Sequence, residues 1–153
     1  LQNNLLLFRE GNTRNSSTIL TNQIDMIKKK NPDTLTSLLT VKDLAFDMHK
    51  SLKQSDITKF GQLIHQGWLA KKKFAKNVTN SRIDKIYDTA LKNGAIGGKV
   101  TGAGGGGHML FYCEKLKQKK LQKKLQTLGL EHVKFSFYNN GPKIIKTSDM
   151  SNF

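Results

Sequence analysis

The chain has 153 residues, of which 37% are hydrophobic, a size and composition typical of a single domain with its own core spanning residues 1–153. No stretch approaches the roughly 20 apolar residues that a membrane-spanning helix needs, so the sequence excludes a helical span and we expect no membrane partner. The formal net charge of +15 is large enough to attract nucleic acid, anionic lipid or phosphorylated metabolites.

The first half of the chain predicts one strand and then four helices, because apolar residues recur at helical spacing between capping residues and glycine or proline breaks. In chain order these are a strand over residues 5–8, a helix capped by Thr13 or Asn15 that runs to about residue 30, a helix that begins at Thr34, a helix that begins after Ser55 and Asp56, and a helix capped by Asn80 and Ser81 that ends at Asn93 and Gly94.

The second half predicts strands on both sides of a glycine-rich segment and one more helix. These elements are the two flanking strands, a helix over residues 115–128 with Leu116, Leu121, Leu125 and Leu128 facing inward, an alternating strand over residues 133–138, a turn over residues 139–142 and a last strand over residues 143–146. Interleaved strands and successive helices predict an α+β domain with a small, mainly antiparallel sheet covered by several helices.

The basic residues are almost all lysines and are spread over several predicted helices, with only three arginines. Specific recognition of phosphates and bases favours arginine, so most of the lysines are expected on solvated faces and nucleic acid is not the expected partner. An RNA-binding sheet would need exposed aromatic residues such as Phe135, Phe137 and Tyr138, and the core needs these as well. A basic nucleic-acid-binding module therefore remains an alternative.

Cysteine usage bears on the compartment of the protein. Cys113 is the only cysteine, and it lies in a predicted buried strand. It cannot form an internal disulfide, and a lone buried thiol is typical of the reducing cytoplasm. We therefore expect a cytoplasmic protein.

Residues 99–113 contain the most distinctive stretch of the sequence. Five of the 13 glycines lie within six positions of it, between two segments typical of strands. Glycine is used where the backbone needs a positive φ or must come very close to another group. The stretch therefore predicts a loop whose main-chain N–H groups approach a phosphate or another backbone, or, as the alternative, a hairpin that only packs tightly.

Two familiar phosphate-binding motifs do not fit this stretch. Gly102, Gly104 and Gly107 satisfy G-x-G-x-x-G, but the dinucleotide fingerprint requires a helix directly afterwards, and residues 108–113 are typical of a buried strand. The spacing of Gly102 and Gly107 also suits a Walker A loop, but the two residues after Gly107 are not the required Lys and Ser or Thr.

Residues 93–113 resemble the third conserved motif of the GHMP kinases, the superfamily of galacto-, homoserine, mevalonate and phosphomevalonate kinases. Further stretches, residues 5–14, 65–73 and 80–87, are similar to the branch that phosphorylates D-glycero-D-manno-heptose 7-phosphate. The resemblance extends from about residue 5 to about residue 145. It implies the ferredoxin-like fold of a GHMP kinase carboxy-terminal domain.

A GHMP kinase has two domains, and the resemblance implies how they divide the work. The amino-terminal domain carries a P-x-x-x-G-L-x-S-S/G-A phosphate loop, most of the adenine pocket and usually the catalytic acidic residue, and this sequence contains no such pattern. We therefore expect the chain to be a carboxy-terminal half whose partner is its own amino-terminal kinase domain. The catalytic residues, ATP and Mg²⁺ are expected mostly on that domain, no metal site is expected here, and this half alone is expected to be inactive.

The resemblance also implies a site. The loop expected beside the nucleotide phosphates is formed by Thr101, Gly102, Ala103, Gly104, Gly105, Gly106 and Gly107. Three cations are predicted to bind the sugar-phosphate substrate, namely Arg14, Lys72 and Arg82. Arg14 and Arg82 each lie at the start of a predicted helix, where a cation opposes the helix dipole unless it serves an anion. Lys72 is one of three lysines that follow Trp68 within about one helical turn.

The resemblance implies that the whole enzyme transfers the γ-phosphoryl group of ATP to a sugar, with the anomeric hydroxyl of D-glycero-D-manno-heptose 7-phosphate as the predicted acceptor. Catalysis of this kind depends on positioning and charge stabilisation. The nucleic-acid-binding module is one alternative, and a non-catalytic regulatory domain that binds a sugar phosphate is the other. The regulatory domain would bind its ligand tightly without any second domain.

Overall fold

The computed structural model describes residues 1–11 and 16–141. The described elements follow the predicted order of strands and helices. They are a short 3-10 helix over Gln2–Asn4, then β1 (Leu5–Arg9), α1 (Ser16–Lys28), α2 (Pro32–Lys53), α3 (Ile57–Lys71), α4 (Ser81–Lys92), β2 (Ala95–Val100), β3 (His108–Cys113), α5 (Lys115–Gln126) and β4 (Glu131–Val133).

The four strands form one sheet in the order β2-β3-β1-β4, and every neighbouring pair is antiparallel. With helices between β1 and β2 and between β3 and β4, this is the ferredoxin-like β-α-β-β-α-β arrangement, in which the first helical connection is enlarged to four helices. The expected α+β fold is confirmed. Arg9 at the end of β1 lies opposite His108 at the start of β3, so the glycine-rich segment projects from the edge of the sheet at which β1 ends.

The core lies between the sheet and the helices. Phe8 and Met109 face each other across β1 and β3, and both are fully buried. They join Trp68 of α3, Ile83 of α4 and Leu121 of α5 in one apolar cluster. Helices from both connections are therefore fixed on the sheet by burial of large side chains.

Close contact between α3 and β2 depends on glycine. A Cβ on Gly97 would collide with the carbonyl oxygen of Gly61 and would lie 2.8 Å from the backbone nitrogen of His65. A Cβ on Gly61 would lie 2.5 Å from the ring of Tyr112. Because any side chain at these positions would push the backbone of α3 away from the sheet, Gly61 and Gly97 fix the position of that helix.

Helix starts follow the local capping rules. The side chains of Asp56 and Asn80 each accept the backbone N–H three residues later, at 2.9 Å, which confirms the predicted starts of α3 and α4. The prediction for α2 was wrong by two residues. That helix begins at Pro32 rather than at Thr34, because Asn31 caps it and proline suits the first helical position.

One leucine of α5 is wrongly predicted as buried. Leu121 and Leu125 are fully buried, whereas Leu116 is 99% exposed. The five steps from Leu116 to Leu121 turn a helix by about 140° beyond one full revolution, so the two side chains cannot share a face. Four-residue spacing, as between Leu121 and Leu125, identifies the buried side.

The strand expected over residues 133–138 is also wrong. β4 covers Glu131–Val133, and its last residue pairs with Leu7. The chain then leaves the sheet, and the backbone N–H of Phe137 donates to the side chain of Gln2, at 2.8 Å, in the 3-10 helix that precedes β1. The strand expected over residues 143–146 and the expected caps Thr13 and Asn15 lie outside the described residues.

The exposed apolar residues of α1, the hydropathy of the helices and the state of the cysteine complete the description of the fold. α1 buries Ile19, but Leu20, Ile24 and Ile27 remain between 42% and 50% exposed. Among residues 1–11 and 16–141, no helix combines the length and the hydropathy needed to cross a bilayer. Cys113 is buried and free, as predicted.

Candidate functional site

The glycine-rich loop, residues 101–107, joins β2 to β3 and has an unusual backbone. Five of its glycines have φ between +76° and +146°. These glycines are Gly102, Gly104, Gly105, Gly106 and Gly107. Residues with a Cβ rarely adopt such φ values, so the density of glycine is a requirement of the loop's conformation.

Three backbone hydrogen bonds fix the loop. The N–H of Thr101 donates to the carbonyl of His108 at 2.9 Å, and the N–H of Glu10 donates to the carbonyl of Gly107 at 2.8 Å. In the middle of the loop, the N–H of Gly105 donates to the carbonyl of Val78 at 2.8 Å. The loop is thus held between the end of β1 and the segment that leads into α4.

The glycines serve two different purposes. A Cβ on Gly104 would lie 2.7 Å from the carbonyl oxygen of Val78, so this glycine permits close packing within the chain. A Cβ on Gly102 or Gly107 would meet nothing within 4 Å. Tight packing of the hairpin therefore accounts for Gly104, whereas Gly102 and Gly107 leave bare main chain facing open space.

Side chains from α1 and α3 hold the loop carbonyls. The Lys71 ammonium donates to the carbonyl of Gly102, and the Gln23 amide donates to the carbonyl of Ala103 at 3.4 Å. The Thr101 hydroxyl donates within the hairpin, to the carbonyl of His108 at 3.3 Å. Burial lowers the pKa of Lys71, and the nearby charge of Lys99 lowers it further.

Lys72 lies beside the loop's support but does not contact the loop itself. Its ammonium pairs with the carboxylate of Asp84 at 3.2 Å, and the same carboxylate oxygen accepts the hydroxyl of Thr79 at 2.9 Å. Both charged side chains are partly exposed. The arrangement joins the end of α3 to the start of α4 and leaves the Lys72 side chain partly exposed.

Arg82 is engaged within the fold. Its Nε donates to the Glu10 carboxylate at 2.6 Å, and its Nη2 donates to the carbonyl of Leu128 at 3.2 Å. The Glu10 side chain is 3% exposed, whereas that of Arg82 is 47% exposed. The buried carboxylate is the anion that explains an arginine in the first turn of α4.

Replacing Arg82 with alanine is expected to lower the free energy of unfolding by about 2 kcal/mol, because the buried Glu10 carboxylate loses this counter-charge. The loss is smaller than for a fully buried pair, since the arginine is half exposed. Urea unfolding measures the effect, and Lys85→Ala on the exposed side of the same helix is the matched control. Equal losses for the two variants would contradict a structural role for Arg82.

The predicted site residues thus fall into three groups. Residues 101–107 form one loop, Lys72 and Arg82 lie near its supports with carboxylate partners, and Arg14 lies outside the described residues. Sequence reasoning missed Lys71, although it lies three residues after the buried Trp68 and therefore on the same side of α3. Among the described residues, no three His, Cys, Asp or Glu side chains come together as metal ligands.

Comparison with known proteins agrees with this geometry. The family model for "GHMP kinases C terminal" matches residues 48–129. The D-glycero-alpha-D-manno-heptose 7-phosphate kinase of Campylobacter jejuni is 33% identical over 110 residues, which are 72% of this chain and 32% of that protein. The chain spans about a third of the length of this relative.

Two solved structures share the fold. The L. major mevalonate kinase in complex with R-mevalonate has a TM-score of 0.68 and 19% identity over 80% of this chain and 37% of its own. The Streptococcus pneumoniae phosphomevalonate kinase in complex with phosphomevalonate and AMPPNP has a TM-score of 0.65 and 19% identity over 83% of this chain and 37% of its own. With its fold, its glycine-rich loop and more than half of its length matched, the chain belongs to the GHMP kinase family and corresponds to the carboxy-terminal domain of that family.

Proposed function

We propose that this chain is the carboxy-terminal half of an ATP-dependent sugar kinase that phosphorylates D-glycero-D-manno-heptose 7-phosphate at its anomeric hydroxyl. The relative from Campylobacter jejuni, which is named for heptose 7-phosphate, supports this acceptor. The proposed reaction transfers the γ-phosphoryl group of ATP to the sugar oxygen, which loses its proton, and releases ADP.

The observation that carries the proposal is the bare main chain of the loop. Within the described residues, the N–H groups of Gly102, Gly104 and Gly106 donate no hydrogen bond. Gly102 is exposed, and the other two are partly exposed. Backbone N–H groups without a partner are available to an anion, and such donors stabilise charge that develops on a transferring phosphoryl group.

We assign the remaining parts of the active centre to an amino-terminal kinase domain that partners this one. The exposed apolar side chains Leu20, Ile24 and Ile27 lie on α1, the helix whose Gln23 holds the loop, and they offer a surface for that domain beside the loop. Mg²⁺, most of the ATP contacts and the catalytic residue belong to the partner domain in this proposal. The loop residues fit the phosphates of ATP, the group that supplies the phosphoryl unit.

Cations near the loop are proposed to hold the sugar phosphate. The Lys72 side chain is 28% exposed and lies one residue beyond Lys71, which reaches the loop itself, so the end of α3 brings positive charge to this side of the site. We retain Lys72 and Arg14 as substrate-binding residues and add Lys71. Arg82 is not part of the proposed substrate site, because its partner Glu10 is a buried carboxylate, 3% exposed, whereas the Asp84 partner of Lys72 is 40% exposed.

The nucleic-acid alternative receives less support. The aromatic residues that an RNA-binding sheet would expose on its strands are not on a strand here, because Phe135, Phe137 and Tyr138 follow the end of β4. The regulatory-domain alternative is distinguished by binding. It requires tight binding of a sugar phosphate by this chain without a second domain.

The acceptor is tested by ATP consumption in the full-length protein. We expect turnover with D-glycero-D-manno-heptose 7-phosphate at a kcat/KM at least about a hundredfold above that with galactose or mevalonate, because a buried polar site discriminates strongly against a ligand that leaves its groups unpaired. If only another acceptor is turned over, the protein is a kinase but heptose 7-phosphate is not its acceptor. Absence of ATP consumption with every acceptor would reject the kinase.

A further inference from the structure

A cavity of about 150 Å³ lies between α2, α3 and β2. Its walls are mostly apolar and include Leu44, Met48, Ile64 and Trp68. Two lysines, Lys71 and Lys99, complete the lining. Neither the proposed phosphoryl transfer nor the proposed sugar site uses the apolar part of this cavity.

The two lysines give the cavity a positively charged wall. Within the described residues, neither lysine forms an ion pair with an acidic side chain. Lys99 extends from β2 and is exposed, and Lys71 reaches past it to the carbonyl of Gly102. Burial and the charge of Lys99 together lower the pKa of Lys71, which means that the two ammonium groups repel each other and that Lys71 is poorly solvated. An anion that contacts both ammonium groups would offset their mutual repulsion and the poor solvation of Lys71.

Trp68 forms part of the apolar wall of the cavity. It is 1% exposed, and its indole N–H is the one buried side-chain donor without a hydrogen-bond partner among the described residues. Because its indole nitrogen is closed to solvent, Trp68 offers a ligand in the cavity its apolar ring rather than its N–H.

We propose that the cavity binds a small carboxylate whose apolar part is about the size of a benzene ring, with the carboxylate held by Lys71 and Lys99 and the apolar part against Leu44, Met48, Ile64 and Trp68. An apolar protein cavity of roughly this volume accommodates benzene, which sets the size of the apolar part. A sugar phosphate does not fit this description, because its hydroxyl groups would lose hydrogen bonds against apolar walls.

The cavity and the glycine loop share one residue. Lys71 lines the cavity and also donates to the carbonyl of Gly102. A carboxylate at Lys71 therefore competes with a loop carbonyl for the same ammonium group. The site is in this way suited to an effector, and its occupancy would be transmitted to the loop through a single side chain.

Trp68 provides the measurement, since it is the only tryptophan of the chain. Phenylacetate is titrated while the fluorescence and the indole N–H resonance of Trp68 are followed, with Trp68→Phe to assign both signals. Phenylacetamide is the neutral control of nearly equal shape. We expect saturable changes with phenylacetate at a Kd on the order of millimolar, and binding of phenylacetamide at least about tenfold weaker, because a charge-assisted hydrogen bond is lost.

Lys99→Gln is the decisive variant, because Lys99 holds no loop carbonyl in the described structure whereas Lys71 does. We expect it to weaken phenylacetate about tenfold and to leave phenylacetamide unchanged, while Lys92→Gln, an exposed lysine of α4, changes neither. The proposal is overturned if Trp68 does not respond, if the acid and the amide bind equally, or if Lys99→Gln binds like the wild type. None of these readouts depends on kinase activity.

Discussion

Replacing Gly97 with alanine is expected to lower the free energy of unfolding by more than about 3 kcal/mol and the Tm by about 10 °C. The added Cβ would overlap the carbonyl oxygen of Gly61 and approach the backbone nitrogen of His65 to 2.8 Å. Both groups belong to the backbone of α3, so no side-chain rotation can relieve the collision. The helix must move from β2, and the core around Trp68 opens with it.

The control for this prediction lies in α3, the helix against which Gly97 packs. A Cβ on Gly67 would meet the Met48 side chain at 3.9 Å, which is ordinary contact, and its φ is helical. Gly67→Ala is therefore expected to stabilise the protein by about 0.5–1 kcal/mol, since alanine favours the helical backbone. Thermal unfolding of the two variants measures both effects, and a Gly97→Ala protein as stable as the wild type would show that α3 does not pack as described.

Gly104→Ala is expected to reduce kcat of the full-length enzyme at least about a hundredfold, because a displacement of catalytic groups by about 1 Å lowers the reaction rate by that factor. Gly104 has a φ of +114°, which alanine rarely adopts. Its new Cβ would lie 2.7 Å from the carbonyl oxygen of Val78, the acceptor for the N–H of Gly105. The hydrogen bond that fixes the middle of the loop would break.

A second variant distinguishes backbone from side-chain collision at this position. Val78→Ala removes the methyl carbon that would lie 3.0 Å from the new Cβ, but it leaves the carbonyl in place. The double variant is therefore expected to remain as inactive as Gly104→Ala. Kinetics at saturating ATP and acceptor, at a temperature where circular dichroism shows a folded protein, provide the comparison. Wild-type kcat in folded Gly104→Ala would contradict a catalytic role for the position of the loop.

Features set by neighbouring residues in the sequence were predictable. The caps Asp56 and Asn80 and the strands on both sides of the loop follow from local chemistry, and all are present. Errors arose where a pattern was extended beyond its physical basis. Leu116 was assigned to the buried side of α5 against the helical angle. The strand predicted from the alternating residues ends at Val133, although Leu5 and Leu6 of β1 extend beyond the last pair.

The contacts of the site were not predictable, because they join distant parts of the chain. The density of glycine predicted positive φ values or a close approach of the backbone, but only the fold brings Val78 and Lys71 to the loop. Of three consecutive lysines, the sequence selected Lys72, whereas Lys71 reaches the loop and Lys72 pairs with Asp84. Arg82 was predicted to bind the sugar phosphate, and in the structure its guanidinium pairs with the protein's own Glu10.

The central claim is that the loop presents bare main chain to a phosphate, and it is tested by comparing Gly102→Ala with Gly129→Ala. These glycines have similar φ values, +76° for Gly102 and +82° for Gly129. A Cβ added to Gly102 would meet nothing within 4 Å, and one added to Gly129 would meet only Arg82 Nη2, at 3.9 Å. Both variants are thus expected to lose about 1 kcal/mol of stability through backbone strain. Gly129 lies three residues after the end of α5, outside the loop.

The measurement is kcat for phosphorylation of the acceptor by the full-length protein at saturating ATP. The account predicts that Gly102→Ala lowers kcat at least about tenfold, because its methyl group occupies space that the phosphate approaches, while Gly129→Ala retains the wild-type value. If the two variants lose equal stability and both turn over like the wild type, the loop is only a tight connection between β2 and β3.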